Sequence, residues 1–325
     1  MRCVLLFLCL FAFAQTADAQ QLWTPAELAA RPGEERAGRL GTPDPTGPAR
    51  SEPRLALPPL PQNLRGSIRR VDTGGEKLVA LTFDLCELSD QRAGYDGALV
   101  DVLRAHGAAA TFFLSGRWMR SHPERTLQLM ADPRFEIGSH AWTHGNFAVL
   151  SRERMREQLD WTQAQYEQAR DELEALAAAK GMPEAAAAAP KSIRVFRFPY
   201  GRCRPEALEM LAGMGLAAVQ WDVNTMDAGK RAPEAIARDV LRLARPGSIV
   251  LAHGNGNGHG TAKALESILP ELKARGYRFV TVSDLLASGR AVTSHECFDS
   301  RSGDTALYDA IFGEGVTHPR RGRRE

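Results

Sequence analysis

From Lys77 onward the chain alternates between short apolar runs and longer stretches whose apolar positions recur every three or four residues. L-V-A-L-T-F-D, directly after Lys77, is too short for a helix and ends in a carboxylate, so it predicts a buried strand that delivers Asp84 at its C-terminal end. Tyr95 to His106 predicts a helix with Leu99, Val102 and Leu103 on one face and Gly107 as its stop. A-A-A-T-F-F-L-S predicts the next strand, Pro123 to Asp132 a helix, and F-E-I-G-S-H a strand. Ser151 caps a long helix of alternating acids and bases that runs toward Ala179, and the alanine-rich stretch beyond it, broken by glycine and proline, predicts a floppy connector without chemistry. The alternation then resumes. I-R-V-F-R-F-P-Y-G predicts a strand and turn, Arg204 to Gly213 a helix, A-A-V-Q-W-D a strand, and Pro233 to Ala244 a helix. S-I-V-L-A-H predicts a strand, Ala262 to Arg275 a helix, and R-F-V-T-V a last strand.

Strands alternating with helices imply parallel βαβ units and an α/β fold. About seven strands over about 210 residues suit a closed barrel, with an open sheet as the alternative. Either way, the C-terminal ends of the strands are where chemistry is expected.

The flanking segments have a different character. Arg2 followed by the apolar run Cys3 to Ala14 and the small-x-small triplet Ala17-Asp18-Ala19 reads as a signal peptide over 1–19, too short for a stable membrane span. Export to a periplasm or to the medium is therefore expected. Residues 20–72, with P-D-P-T-G-P and L-P-P-L-P-Q, read as a proline-rich linker or pro-region that spaces the domain from its export site or runs over its surface. Residues 73–290 form the catalytic domain in this reading, and 291–325 a C-terminal tail. The formal charge is only +2, much of the positive charge lying in the terminal H-P-R-R-G-R-R-E, so nucleic acid is not an implied partner. The sequence leaves the oligomeric state open, and a monomer is favoured. Of the five cysteines, Cys86, Cys203 and Cys297 remain after signal removal; none forms a C-x-x-C pair, which argues against a structural zinc cluster.

Candidate chemistry falls at the predicted strand ends. Asp84 is a carboxylate at a buried strand end, costly unless paired or working. His140 and His144, four apart in S-H-A-W-T-H, can face one point and offer neutral nitrogens to a divalent metal. Arg197 ends a strand before the tight turn Pro199-Tyr200-Gly201, whose backbone N–H groups could form an oxyanion hole. Asp222 and Asp227 follow the next strand, and His253 ends the one after, where a nearby carboxylate would raise its pKa and let it donate a proton. G-N-G-N-G-H-G after His253 lacks the spacing of a nucleotide loop and reads as a mobile rim, with His259 facing solvent.

Taken in order, T-F-D-L-C-E, S-H-A-W-T-H, F-R-F-P-Y-G, W-D-V-N-T-M-D and I-V-L-A-H resemble the five motifs of the polysaccharide deacetylase family, the NodB-homology domain of carbohydrate esterase family 4. The resemblance covers about Leu78 to Leu286, and A-T-F-F-L-S-G also matches. It implies a distorted (β/α) barrel of about seven strands and a hydrolase acting on N-acetylhexosamine residues of a glycan. It also implies a divalent metal, typically zinc, on His140 and His144. Asp84 would be the general base, oriented by Arg197; Tyr200 would give its N–H to the oxyanion; His253, oriented by Asp227, would protonate the amine. Two positions depart from the family. The second aspartate of its first motif, the usual third metal ligand, is Leu85 here, leaving Glu87, water or Asp84 itself for that place. Ala228 stands where a tryptophan of the substrate groove is common. Because Cys86 and Cys203 lie within the first and third motifs, a bridge between them is expected, with Cys203–Cys297 as the alternative. A small non-sugar amide as substrate, or a non-catalytic glycan-binding module, are the competing functional readings.

Overall fold

Seven strands close into a ring in the computed structural model, which describes residues 22–187 and 189–312. They are β1 (Ser67–Asp72), β2 (Leu78–Leu85), β3 (Ala110–Leu114), β4 (Phe135–Ser139), β5 (Val195–Phe196), β6 (Ala217–Val219) and β7 (Ser248–His253). Around the ring the order is β2-β3-β4-β5-β6-β1-β7 and back to β2. Every pairing is parallel except the closure of β1 on β7, a single antiparallel bridge between Arg70 and Ser248. This is the expected distorted (β/α) barrel, and it removes the open-sheet alternative.

Helices α1 (Gly97–Ala105), α2 (Pro123–Met130), α3 (Arg152–Ala179), α4 (Pro205–Gly213), α5 (Pro233–Leu243) and α6 (Thr261–Ala274) fall where the periodicity puts them. Ser151 caps α3 by accepting from the Arg154 N–H, which satisfies one of the donors a helix start leaves unpaired.

One ring member differs from expectation. R-F-V-T-V supplies only Arg278–Phe279, which pairs with the start of β2 outside the ring. The seventh strand is β1, from the end of the segment read as a linker. S-I-R-R-V-D shows no alternation because its two apolar residues are three apart. Pairing with Arg290–Ser294 skips Arg69, and this extra residue lets both Ile68 and Val71 turn into the core. The same pairing makes 290–294 a strand rather than part of a tail.

Residues 22–64 run over the barrel surface, one of the two courses expected of the proline-rich segment. Leu22, Trp23 and Leu28 enter the main core, Glu34 pairs with Arg125 at 2.7 Å, and Arg50 and Arg54 both donate to the buried Glu167 carboxylate. The signal-peptide reading over 1–19 and the basic end at 318–325 lie outside the described residues.

Alternation along the strands sorts the core into two layers. Val79, Leu81, Phe83 and Leu85 of β2 and Val250 and Ala252 of β7 pack outward among the helices. Leu78 and Ala80, Phe113, Val195, Ala217 and Val219, and Ile249 and Leu251 fill the barrel interior. Continued past the last core layer, the inward parity brings up Asp84 on β2, Arg197 after β5, Trp221 after β6 and His253 on β7. The site is therefore the top layer of the barrel filling.

Candidate active site

Asp84 and His253 are register partners at the ends of β2 and β7. Asp84 is almost fully buried, and its Oδ1 accepts from Arg197 Nη1 at 2.9 Å. Arg197 is completely enclosed and spends its other donors on the carbonyls of Val219 and Gln220, both at 3.2 Å. Its guanidinium also lies over the Phe113 ring, 4.2 Å from the centroid. A buried carboxylate is tolerable here because a buried cation of fixed geometry faces it.

His140 and His144 sit on an irregular loop after β4, not on a helix. Ala141 and His144 both take left-handed backbone angles, at φ 65° and φ 60°, and such strain in residues with side chains marks a loop held for a purpose. His140 Nδ1 lies 2.8 Å from the Arg197 carbonyl, which can only accept, so the proton is on Nδ1 and Nε2 presents a lone pair. That Nε2 is 3.1 Å from Nε2 of His144 and 3.5 Å from Asp84 Oδ2. Burial lowers the pKa of His140 despite the neighbouring Asp84 charge, and burial followed by the His140 charge lowers that of His144 much further. Both shifts favour the neutral form of the rings.

These observations fit a metal ion. Two imidazole nitrogens on one tetrahedral zinc at about 2.0–2.1 Å are about 3.3 Å apart, close to the separation seen. The two Nε2 atoms that face each other are the donors such an ion would join, while Nδ1 of His144, on the other side of its ring, is buried with no partner among the described residues. Cys86 joins the two histidines: one ligand atom from each of the three lies within 4.8 Å of the others. Leu85 points outward into the helix-side core and is fully buried there. Glu87, one of the substitutes considered for the third ligand, is committed elsewhere. Its carboxylate accepts from the Ala93 N–H at 3.0 Å and Ser121 Oγ at 2.8 Å and faces Arg117 at 3.7 Å.

On the opposite wall, His253 Nδ1 donates to Asp227 Oδ1 at 2.7 Å, while the His253 N–H and Thr261 Oγ1 donate to Oδ2 at 2.8 and 2.6 Å. Burial alone would lower the His253 pKa, but the Asp227 charge and hydrogen bond outweigh it and the pKa is raised. For Asp227, burial acts to raise the pKa, and His253 with the surrounding donors pulls it below the usual carboxylate value. Asp222, by contrast, ties Ser248 and the Ile249 N–H together beside the start of β7 and takes no part in the cleft. His259 is exposed, as expected.

Tyr200 holds a left-handed conformation, φ 61°, in the short turn Pro199–Gly201. Its ring meets His144 edge-on at 4.4 Å between centroids and stacks on Phe312 at 3.9 Å. Asp84, His140, His144, Tyr200 and His253 thus share one open cleft of about 500 Å³.

The far wall was not legible in the sequence. Asp299, Asp304 and Tyr308, from the segment read as a tail, line the cleft. Asp299 accepts from Trp221 Nε1 at 2.7 Å and Asn224 Nδ2 at 2.8 Å. The anchor of this segment is the disulfide Cys203–Cys297, which corrects the expected Cys86–Cys203 bridge. Cys203 belongs to the apolar cluster that contains Phe147, Phe196 and Leu208, whereas Cys86 is a free buried thiol beside the histidines. Cys297 was the one available signal that the tail returns to the body.

The comparisons with known proteins identify relatives of the whole barrel. The family model described as polysaccharide deacetylase matches residues 72–219. A peptidoglycan-N-acetylglucosamine deacetylase of Bacillus cereus is 31% identical over 214 residues, 65% of this chain and 69% of that protein. A chitooligosaccharide deacetylase of Azorhizobium caulinodans is 29% identical, over 63% of this chain and 92% of that protein. Among solved structures, a peptidoglycan N-acetylglucosamine deacetylase in complex with an N-hydroxybenzamide compound superposes with a TM-score of 0.56 at 27% identity, over 71% of this chain and 95% of that one. A pseudoenzyme of the same esterase family from Bacillus anthracis superposes with a TM-score of 0.55 at 27% identity, over 70% and 71% of the two chains, and a mutant of it is described as having restored enzymatic activity. The chain belongs to the polysaccharide deacetylase family, hydrolases that act on the N-acetyl amide bonds of polysaccharides.

Proposed function

We propose that this protein is an exported, metal-dependent deacetylase that removes the N-acetyl group from N-acetylhexosamine residues of a polysaccharide or oligosaccharide. The observation that carries the reading is the convergence of Asp84, His140, His144, Arg197, Tyr200 and His253 at the strand ends around one cleft. His140 and His144 would hold a divalent cation, with zinc the ion best matched to two neutral imidazoles. When bound, such an ion polarises the acetamide carbonyl and acidifies a water molecule.

The residues of the chain do the remaining work. Asp84, held at one oxygen by Arg197, takes a proton from the attacking water at its other oxygen. The N–H of Tyr200, presented by its left-handed turn, donates to the carbonyl oxygen as that oxygen becomes negative. His253, kept protonated by Asp227, delivers a proton to the departing nitrogen. The C–N bond breaks, acetate stays behind, and the sugar leaves as a free amine. The signal-like pattern over 1–19 supports export, to a periplasm or to the medium, where such glycans are found.

Acetate release from N-acetylglucosamine oligomers tests the reading. Release that a chelator abolishes and added zinc restores is the expected result, with small acetamides and cyclic ureides far poorer substrates. Release indifferent to chelation, or confined to the small amides, contradicts it. Leu85 favours one second reading, a glycan-binding module that has lost catalysis; it predicts oligomer binding without acetate release.

A further inference from the structure

We infer that Cys86 is the third protein ligand of the metal site, a thiolate serving where relatives use a carboxylate; this rests on the metal-dependent reading above. The argument begins with strand parity. Asp84 points into the barrel and Leu85 out of it, so the next inward position is residue 86. Leu85 packs in the helix-side layer and touches the space beside Gly254, where an added Cβ would meet it at 3.0 Å. The thiol of Cys86 lies within 4.8 Å of both histidines.

The surroundings of the sulfur suit a ligand. Asn255 Nδ2 donates to the Cys86 carbonyl at 2.8 Å and approaches Sγ at 3.3 Å, and Asn255 is itself completely buried. An amide aimed at a sulfur is the kind of outer hydrogen bond that orients a metal-bound thiolate. Cys86 is also the cysteine left unbridged, because Cys203 and Cys297 pair with each other. Catalytic zinc sites take three protein ligands drawn from histidine, cysteine and carboxylate and keep a fourth position open, a pattern that two imidazoles and one thiolate would follow. The thiolate carries the same single negative charge as the carboxylate it replaces, and its softness shifts the site toward zinc and cobalt and away from magnesium and manganese. On binding, the thiol proton passes to solvent.

Cobalt substitution reads this directly. With Cys3 and Cys9 replaced by serine in the full chain, Cys86 is the one thiol outside the disulfide. Cobalt(II) loaded into that protein should show a sulfur-to-cobalt charge-transfer band in the near ultraviolet. Adding Cys86→Ser should remove the band and weaken zinc binding by at least about tenfold. The band in the parent protein stands as evidence even if the serine variant folds poorly, which thermal melting would reveal. One equivalent of cobalt bound without the band overturns the inference and leaves the two-histidine site standing. No cobalt uptake at all overturns both this inference and the metal-dependent reading. A clear band in a protein that releases no acetate upholds the ligand and rejects the activity.

Discussion

The two walls of the cleft are built to different degrees of completion. On one, His253 and Asp227 form a closed set: both carboxylate oxygens and the ring Nδ1 have partners, and the two pKa values are pushed apart in the directions that keep the pair charged. On the other, the imidazoles of His140 and His144 face each other through their Nε2 atoms across 3.1 Å. Asp84 stands between the two walls, one oxygen held by Arg197 and the other facing His140 at 3.5 Å. An acid–base pair can be finished by protein alone, whereas a metal half becomes complete only with its ion. On the proposed reading, the difference locates the ion that His140 and His144 would take up from solution.

The largest effect should come from the residue that serves both walls. Asp84→Asn keeps the shape and removes the base, so turnover should fall by about 10²–10⁴-fold with the metal still bound. If metal is lost as well, Asp84 is a ligand and not a free base, and the division between the walls fails.

Asp227→Asn should cost less, about 10–100-fold, and should also move the pH profile. His253 must be protonated to act as the acid, so activity falls as pH rises through its pKa. Asp227 holds that pKa above the ordinary value; without it, burial dominates and the alkaline limb shifts to lower pH. An unmoved limb would assign the titration to another group. The metal content of this variant should be unchanged.

Opening the Cys203–Cys297 bridge should have the smallest effect on chemistry, because it reaches the reacting groups only indirectly, through the packing of Tyr200 on Tyr308 and Phe312. It closes a loop of 94 residues, so Cys297→Ser should lower stability by about 2–4 kcal/mol, measured by denaturant unfolding. Once folded, the variant should lose substrate affinity before turnover, since the Tyr308 and Asp299 wall is what the bridge secures. A collapse of turnover at unchanged KM would show that the far wall positions the reacting groups.

How far the sequence carries can be judged residue by residue. Helices with long periodic faces and caps such as Ser151 were legible to within a few residues, because their signal is local. So were the inward-pointing residues at strand ends, since each follows an apolar run. The strand Ser67–Asp72 was hidden by an extra residue at Arg69, whose effect exists only once Arg290–Ser294 is paired to it. The far wall and the disulfide were hidden for a related reason: which cysteine Cys203 meets depends on faces set by the packed fold, not on motif membership. Cys86 is the instructive case. Its position two after Asp84 was visible, but comparison by motif drew attention to Leu85 instead, and strand parity then places the thiol rather than position 85 next to the histidines.

The central claim is that a metal ion completes the His140–His144 wall and is needed for deacetylation. Elemental analysis of the purified protein, run beside acetate release on N-acetylglucosamine oligomers, tests it most directly. The expected result is one equivalent of bound zinc or a similar divalent ion, lost together with activity on chelation and absent from His140→Ala. A fully active protein that contains no metal would contradict the account.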